Sequence, residues 1–137
     1  MNKIISEHDA NQYSPLSLAF LGDGVYDVLV RHYLLSIANM PVAKLHSMKI
    51  KLACCEFQSK AYDKLTELLC EHELSILKRG RNASGNTIPK HSSSAEYKKA
   101  TAVECLSGYL YLTGNNDRIN EIFDLICNLY ISENQDL

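Results

Sequence analysis

The segment Leu16-Ser-Leu-Ala-Phe-Leu-Gly-Asp-Gly-Val-Tyr-Asp27 is an apolar stretch at helical spacing with one acid, Asp23, near its middle and a glycine on each side of it. Gly22 and Gly24 clear space around that carboxylate, and a carboxylate among apolar residues is costly to bury unless a cation meets it. The pattern returns in Tyr97–Tyr111, where Glu104 stands among Ala102, Val103, Cys105, Leu106 and Gly108. A chain with both segments has to pack two apolar helices together and accommodate two lone acids. The small residues Gly22, Gly24, Thr101 and Gly108 let such helices approach closely, and two hard oxygen donors at their contact make a shared metal site the first candidate. A capped or solvent-facing acid at each position is the plainer alternative.

Most of the remaining chain also reads as helix, with no sustained period-two alternation, so the fold class is all-α. Ser14-Pro15 is an N-cap followed by proline at the first helical position. The helix it opens is apolar on more than one side through Leu35, which predicts a central place and a part in a subunit interface. Asn39-Met40-Pro41 ends it. From Pro41 to Cys70 the expected core face is Leu45, Met48, Leu52, Cys55, Phe57, Ala61, Leu65, Leu68 and Leu69. A break is expected inside that stretch, because about 30 continuous residues is long for a globular helix. A short helix over Leu74–Arg79 follows, then a loop from Gly80 to Ser92 rich in turn formers. Ser93-Ser-Ala-Glu96 has capping-box spacing, Thr113-Gly114 supplies a helix stop, and Ile119, Ile122, Phe123, Ile126, Leu129 and Tyr130 mark a last helix.

With 137 residues the chain suffices for one core, so residues 1–137 are expected to form a single domain with its core over about 14–130. No apolar run approaches the roughly 20 residues that span a bilayer, and Met1–Ala10 has neither a signal-peptide nor a transit-peptide pattern; a cytoplasmic protein is expected. The five cysteines (54, 55, 70, 105 and 127) and five histidines (8, 32, 46, 72 and 91) lack metal-ligand spacing. Reduced, structural thiols are the expectation. A net charge of −2 argues against a protein that coats nucleic acid by bulk electrostatics. The charge is uneven, however. Lys78–Lys99 holds six Lys or Arg against Glu96, while Asn115–Leu137 carries five acids against Arg118. A basic patch on an acidic body binds phosphates locally, with strong salt dependence. No Ser-His-Asp, Cys-His or P-loop motif is present.

Three blocks occur in a recognisable order: Phe20-Leu-Gly-Asp-Gly-Val-Tyr26, Arg79-Gly-Arg-Asn82 and the Glu104 helix. From about Ser14 to about Gly114 the chain resembles the Mini-III ribonucleases, the branch of the ribonuclease III superfamily with a catalytic domain and no double-stranded-RNA-binding domain. Larger ribonuclease III enzymes carry further acids where this chain has Leu16, Ala19 and Thr101; Mini-III proteins keep two, so the departure agrees with that branch.

The resemblance implies an all-α, homodimeric endoribonuclease-domain fold with Asp23 and Glu104 as catalytic residues and Mg²⁺ ligands in each subunit. It implies cleavage of double-stranded RNA to 5′-phosphate and 3′-hydroxyl ends, in maturation of the large-subunit ribosomal RNA precursor, with a large-subunit ribosomal protein as possible helper. Arg79, Arg81, Lys90, Lys98 and Lys99 become the candidates for gripping the RNA backbone, with Lys44 and, more weakly, His46 beyond them. Asp27 either supports Asp23 or pairs with Arg31 four residues on. Tyr97, Tyr109 and Tyr111 are expected in packing. Two alternatives remain beside the enzyme: a non-catalytic RNA-binding or ribosome-assembly factor on the same fold, and a helical interaction protein whose acids are structural.

Overall fold

The computed structural model describes residues 3–83 and 93–134. They form seven helices: α1 (Glu7–Ala10), α2 (Pro15–Ile37), α3 (Val42–Ala53), α4 (Cys55–Leu65), α5 (Glu71–Asn82), α6 (Ser94–Leu112) and α7 (Asn116–Glu133), with no strand among the described residues. Their starts follow local chemistry. The Ser14 hydroxyl accepts from the Leu16 amide ahead of Pro15, and Ser93 and Glu96 make the expected reciprocal capping box on α6. Cys54, in extended conformation, separates α3 from α4 and is the expected break.

The centre of the fold is α6, where the sequence pattern had suggested α2. Nearly the whole run Ala100–Leu110 is buried, including Val103, Cys105, Leu106 and Tyr109; a helix covered all round belongs inside. It packs chiefly against α2, α5 and α4. One edge of α2 buries Leu18, Ala19, Gly22, Tyr26, Val30 and Leu34, while Phe20 (86% exposed), Val28, Leu35 and Leu16 face outward. Those four side chains form an exposed apolar side of α2.

Long-range polar contacts lock the helices. The Tyr26 hydroxyl donates to the Leu52 carbonyl at 2.5 Å, satisfying one of the last carbonyls of α3. Glu73 on α5 receives Arg118 of α7 at 2.7 and 2.9 Å. Two expectations are corrected. Gly80 lies inside α5, not in a loop: it is buried, and a Cβ there would stand 2.6 Å from the Cys105 Cβ and 2.9 Å from the Ala102 Cα. Arg81 and Asn82 are likewise helical and Ala83 caps α5, while residues 84–92 of the expected loop lie outside the described residues. Leu68, expected in the core, is 46% exposed in the turn after α4.

Candidate active site

The two acids meet where α2 crosses α6. A Cβ on Gly22 would lie 1.6 Å from the carbonyl oxygen of Glu104 and 2.8 Å from the Gly108 amide nitrogen; a Cβ on Gly108 would lie 1.9 Å from the Leu18 carbonyl oxygen. Real Cβ contacts are never this short, so the crossing exists only with glycine at both positions. Because Gly22 rests on the backbone of Glu104 itself, the next residue along α2, Asp23, is delivered beside the Glu104 side chain. Gly24 contributes nothing to this approach: a Cβ there meets no atom within 4 Å.

The two carboxyls differ in environment. Asp23 is exposed, on the edge of α2, so the expectation of an acid enclosed by apolar residues is corrected there. Glu104 is half-buried, and burial, reinforced by the Asp23 carboxyl, pushes it up to about 8 from an ordinary 4.5. Among the described residues neither acid is in an ion pair. Nor does any group of three or more His, Cys, Asp or Glu there gather in metal-holding geometry. Two uncompensated hard oxygen donors with open surroundings on one side fit a divalent cation that keeps most of its coordination for water and substrate oxygens, which is the habit of Mg²⁺. Thr101, one turn before Glu104, is buried and donates its hydroxyl to the Tyr97 carbonyl at 2.9 Å, so it is turned to its own helix.

The basic candidates divide into three groups. Arg81 and Lys98 are exposed, at the end of α5 and the start of α6, and Lys44 is exposed on α3. Arg79 is partly covered and its Nη2 donates to the carbonyls of Asn11 and Tyr13, 3.4 Å each, tying α5 to the approach to α2. Lys99 pairs with Asp63 at 2.8 Å and lies over the Tyr62 ring. Lys90 lies outside the described residues. Asp27 pairs with Arg31 at 2.8 Å, as the i+4 spacing suggests, and also with Lys49 at 2.7 Å, a contact between α2 and α3 that no local spacing announces. Tyr109 is buried and Tyr97 half-buried, as expected of packing residues, while Tyr111 is 43% exposed.

Comparison with known proteins settles the family. The Ribonuclease III domain pattern is matched over residues 16–115, which include both acids and the glycine crossing. The chain belongs to the ribonuclease III family. Within that family its similarity runs to the Mini-III branch, as its motifs implied. It is 37% identical over 131 residues to the Mini-ribonuclease 3 of Clostridium tetani, covering 95% of this chain and 87% of that one. It is also 37% identical to the Mini-ribonuclease 3 of a Thermoanaerobacter species over 90% of this chain and 87% of that one. A crystal structure of a Fusobacterium nucleatum protein superposes with a TM-score of 0.77 at 33% identity, covering 84% of this ribonuclease III family member and 93% of that protein. No described helix is long and apolar enough to cross a membrane.

Proposed function

We propose that this chain is a metal-dependent endoribonuclease that cleaves double-stranded RNA in the cytoplasm, with Asp23 and Glu104 as its catalytic residues and Mg²⁺ ligands. The observation that carries the reading is the convergence of these two carboxyls at the Gly22–Gly108 crossing. Family membership supports it, since the related proteins are ribonucleases by name. Asp23 and Glu104 would hold the Mg²⁺, which would supply charge neutralisation and a more acidic water there. Glu104, raised by burial and the Asp23 carboxyl, would have to ligate as a carboxylate, so occupancy of the site would be linked to release of its proton. Asp23, already at the surface, presents the same site to the substrate backbone.

The domain, with its core over about 14–130, acts as a homodimer through the exposed apolar residues Leu16, Phe20 and Val28 of α2, the kind of surface that marks a protein interaction site. Two subunits then offer one site to each strand. Arg81 and Lys98, with Arg79, Lys90, Lys99 and Lys44, grip phosphates and 2′-hydroxyls by shape rather than sequence. The products carry 5′-phosphate and 3′-hydroxyl ends, and the natural substrate is the large-subunit ribosomal RNA precursor, presented with the help of a large-subunit ribosomal protein.

The test is cleavage of an end-labelled RNA duplex by purified protein in Mg²⁺ or EDTA. Cutting in Mg²⁺ alone supports the reading. Binding without cutting in Mg²⁺ would instead make the chain a non-catalytic RNA-binding factor, and absence of binding at low salt would make it an interaction protein.

A further inference from the structure

One turn beyond Asp23, about 6 Å along the helix axis, Asp27 holds two cations at once. Its Oδ2 accepts from Arg31 Nε at 2.8 Å and its Oδ1 lies 2.7 Å from Lys49 Nζ. One carboxylate against two cations leaves an excess of positive charge, whereas a purely structural tie between α2 and α3 needs only Lys49. Arg31 spends only Nε on this contact: its two terminal nitrogens have no acceptor among the described residues, and its side chain is 53% exposed. Both cations, with His46, rim a cavity of about 220 Å³ whose wall includes Leu35 and Val42. The cluster therefore presents oriented, unsatisfied donors on the edge of α2 that also carries Asp23.

We propose that Arg31 and Lys49, positioned by Asp27, bind a phosphate of the RNA backbone neighbouring the one cleaved at Asp23 and Glu104. The inference rests on the ribonuclease reading above and adds to it a binding subsite separate from the α5–α6 cations. Guanidinium and ammonium donors fixed in advance suit a phosphate oxygen, because little side-chain freedom remains to be lost on binding. Asp27 does not touch the RNA: it orients the two donors and partly offsets their charge.

Asp27 separates this assignment from a structural one. Asp27→Asn and Lys49→Gln remove the same ion pair, but only Lys49→Gln removes a positive charge. Affinity for a short labelled RNA duplex is measured in Ca²⁺, to suppress cutting, at several salt concentrations, with circular dichroism to verify the fold. Lys49→Gln and Arg31→Gln should each weaken binding about five- to tenfold and make the slope of log affinity against log salt shallower by about 1. Asp27→Asn, which frees the two donors but also removes a negative charge beside them, should weaken binding less than either of these variants and leave the salt slope at least as steep as in the wild type. Arg31 is exposed enough that its variant remains readable if Lys49→Gln fails to fold, and Lys49→Arg should restore the affinity. Equal weakening by Asp27→Asn and Lys49→Gln, or an unchanged salt slope in the Arg31 variant, overturns the assignment while leaving the ribonuclease reading standing. A wild-type protein that does not bind the duplex at low salt overturns both.

Discussion

Gly22 and Glu104 are in backbone contact: the Cβ that Gly22 lacks would sit 1.6 Å from the Glu104 carbonyl oxygen. The obstacle is main chain, which cannot rotate away as a side chain can. Gly22→Ala and Gly108→Ala should therefore each destabilise the protein by about 3 kcal/mol or more, at or above the usual upper range for overpacking. Gly24→Ala, two residues away and facing open space, should be neutral or stabilise by up to about 1 kcal/mol through helix propensity. Urea denaturation of the three variants checks this. Equal losses at 22 and 24 would refute the crossing.

Glu104 makes metal-free stability depend on pH. The folded protein keeps its proton up to about pH 8, whereas the unfolded chain releases it near the ordinary value of 4.5. Between these values the folded state binds more protons, so stability falls as pH rises, by about 1.4 kcal/mol for each tenfold difference in proton affinity at most. Glu104→Gln has no such proton and should be more stable than the wild type at pH 8.5 in EDTA, with the gap closing toward pH 5. Denaturation curves at both pH values decide. Mg²⁺ should narrow the gap at pH 8.5 by binding the folded wild type.

Glu73 is buried, and Arg118 holds its carboxyl below the usual carboxylate range through paired hydrogen bonds. That stabilisation is present at neutral pH and is lost as pH falls through the lowered value. Arg118→Met should cost about 2–3 kcal/mol at pH 7, because it strands a buried carboxylate, and less at pH 3. Thermal melts at the two pH values measure the difference. A pH-independent cost would mean that Arg118 acts through packing alone.

Phe20 is 86% exposed on α2. If α2 joins two subunits, Phe20→Asp should yield a monomer by light scattering while the helical circular dichroism is unchanged. A dimer of undiminished stability would move the interface elsewhere.

Much of this arrangement could be read from local pattern. Ser14-Pro15 and Ser93–Glu96 mark helix starts because caps involve neighbours in sequence, and the acids stood out because each is alone in an apolar stretch. What escaped depends on partners distant in the chain. Gly80 reads as a turn former until Ala102 and Cys105 are seen against it. Arg79 reads as a free cation, although it reaches the carbonyls of Asn11 and Tyr13. Lys49 looks like one of several lysines opposite a core face, and only the packing of α3 on α2 brings it to Asp27. Periodicity likewise marked both α2 and α6 as apolar, but which of them is covered on every side is a property of the whole assembly.

The central claim is that Asp23 and Glu104 act together on the scissile phosphate, and the most direct measurement is cleavage of an end-labelled RNA duplex by Asp23→Asn and Glu104→Gln under saturating Mg²⁺, beside a binding assay on the same duplex. Each change removes a charged oxygen ligand with little change in volume, so each should lower the cleavage rate by at least about a hundredfold, the loss expected when several kcal/mol of metal-assisted stabilisation disappear. Duplex affinity should largely survive. Cleavage by either variant at near the wild-type rate would contradict the account.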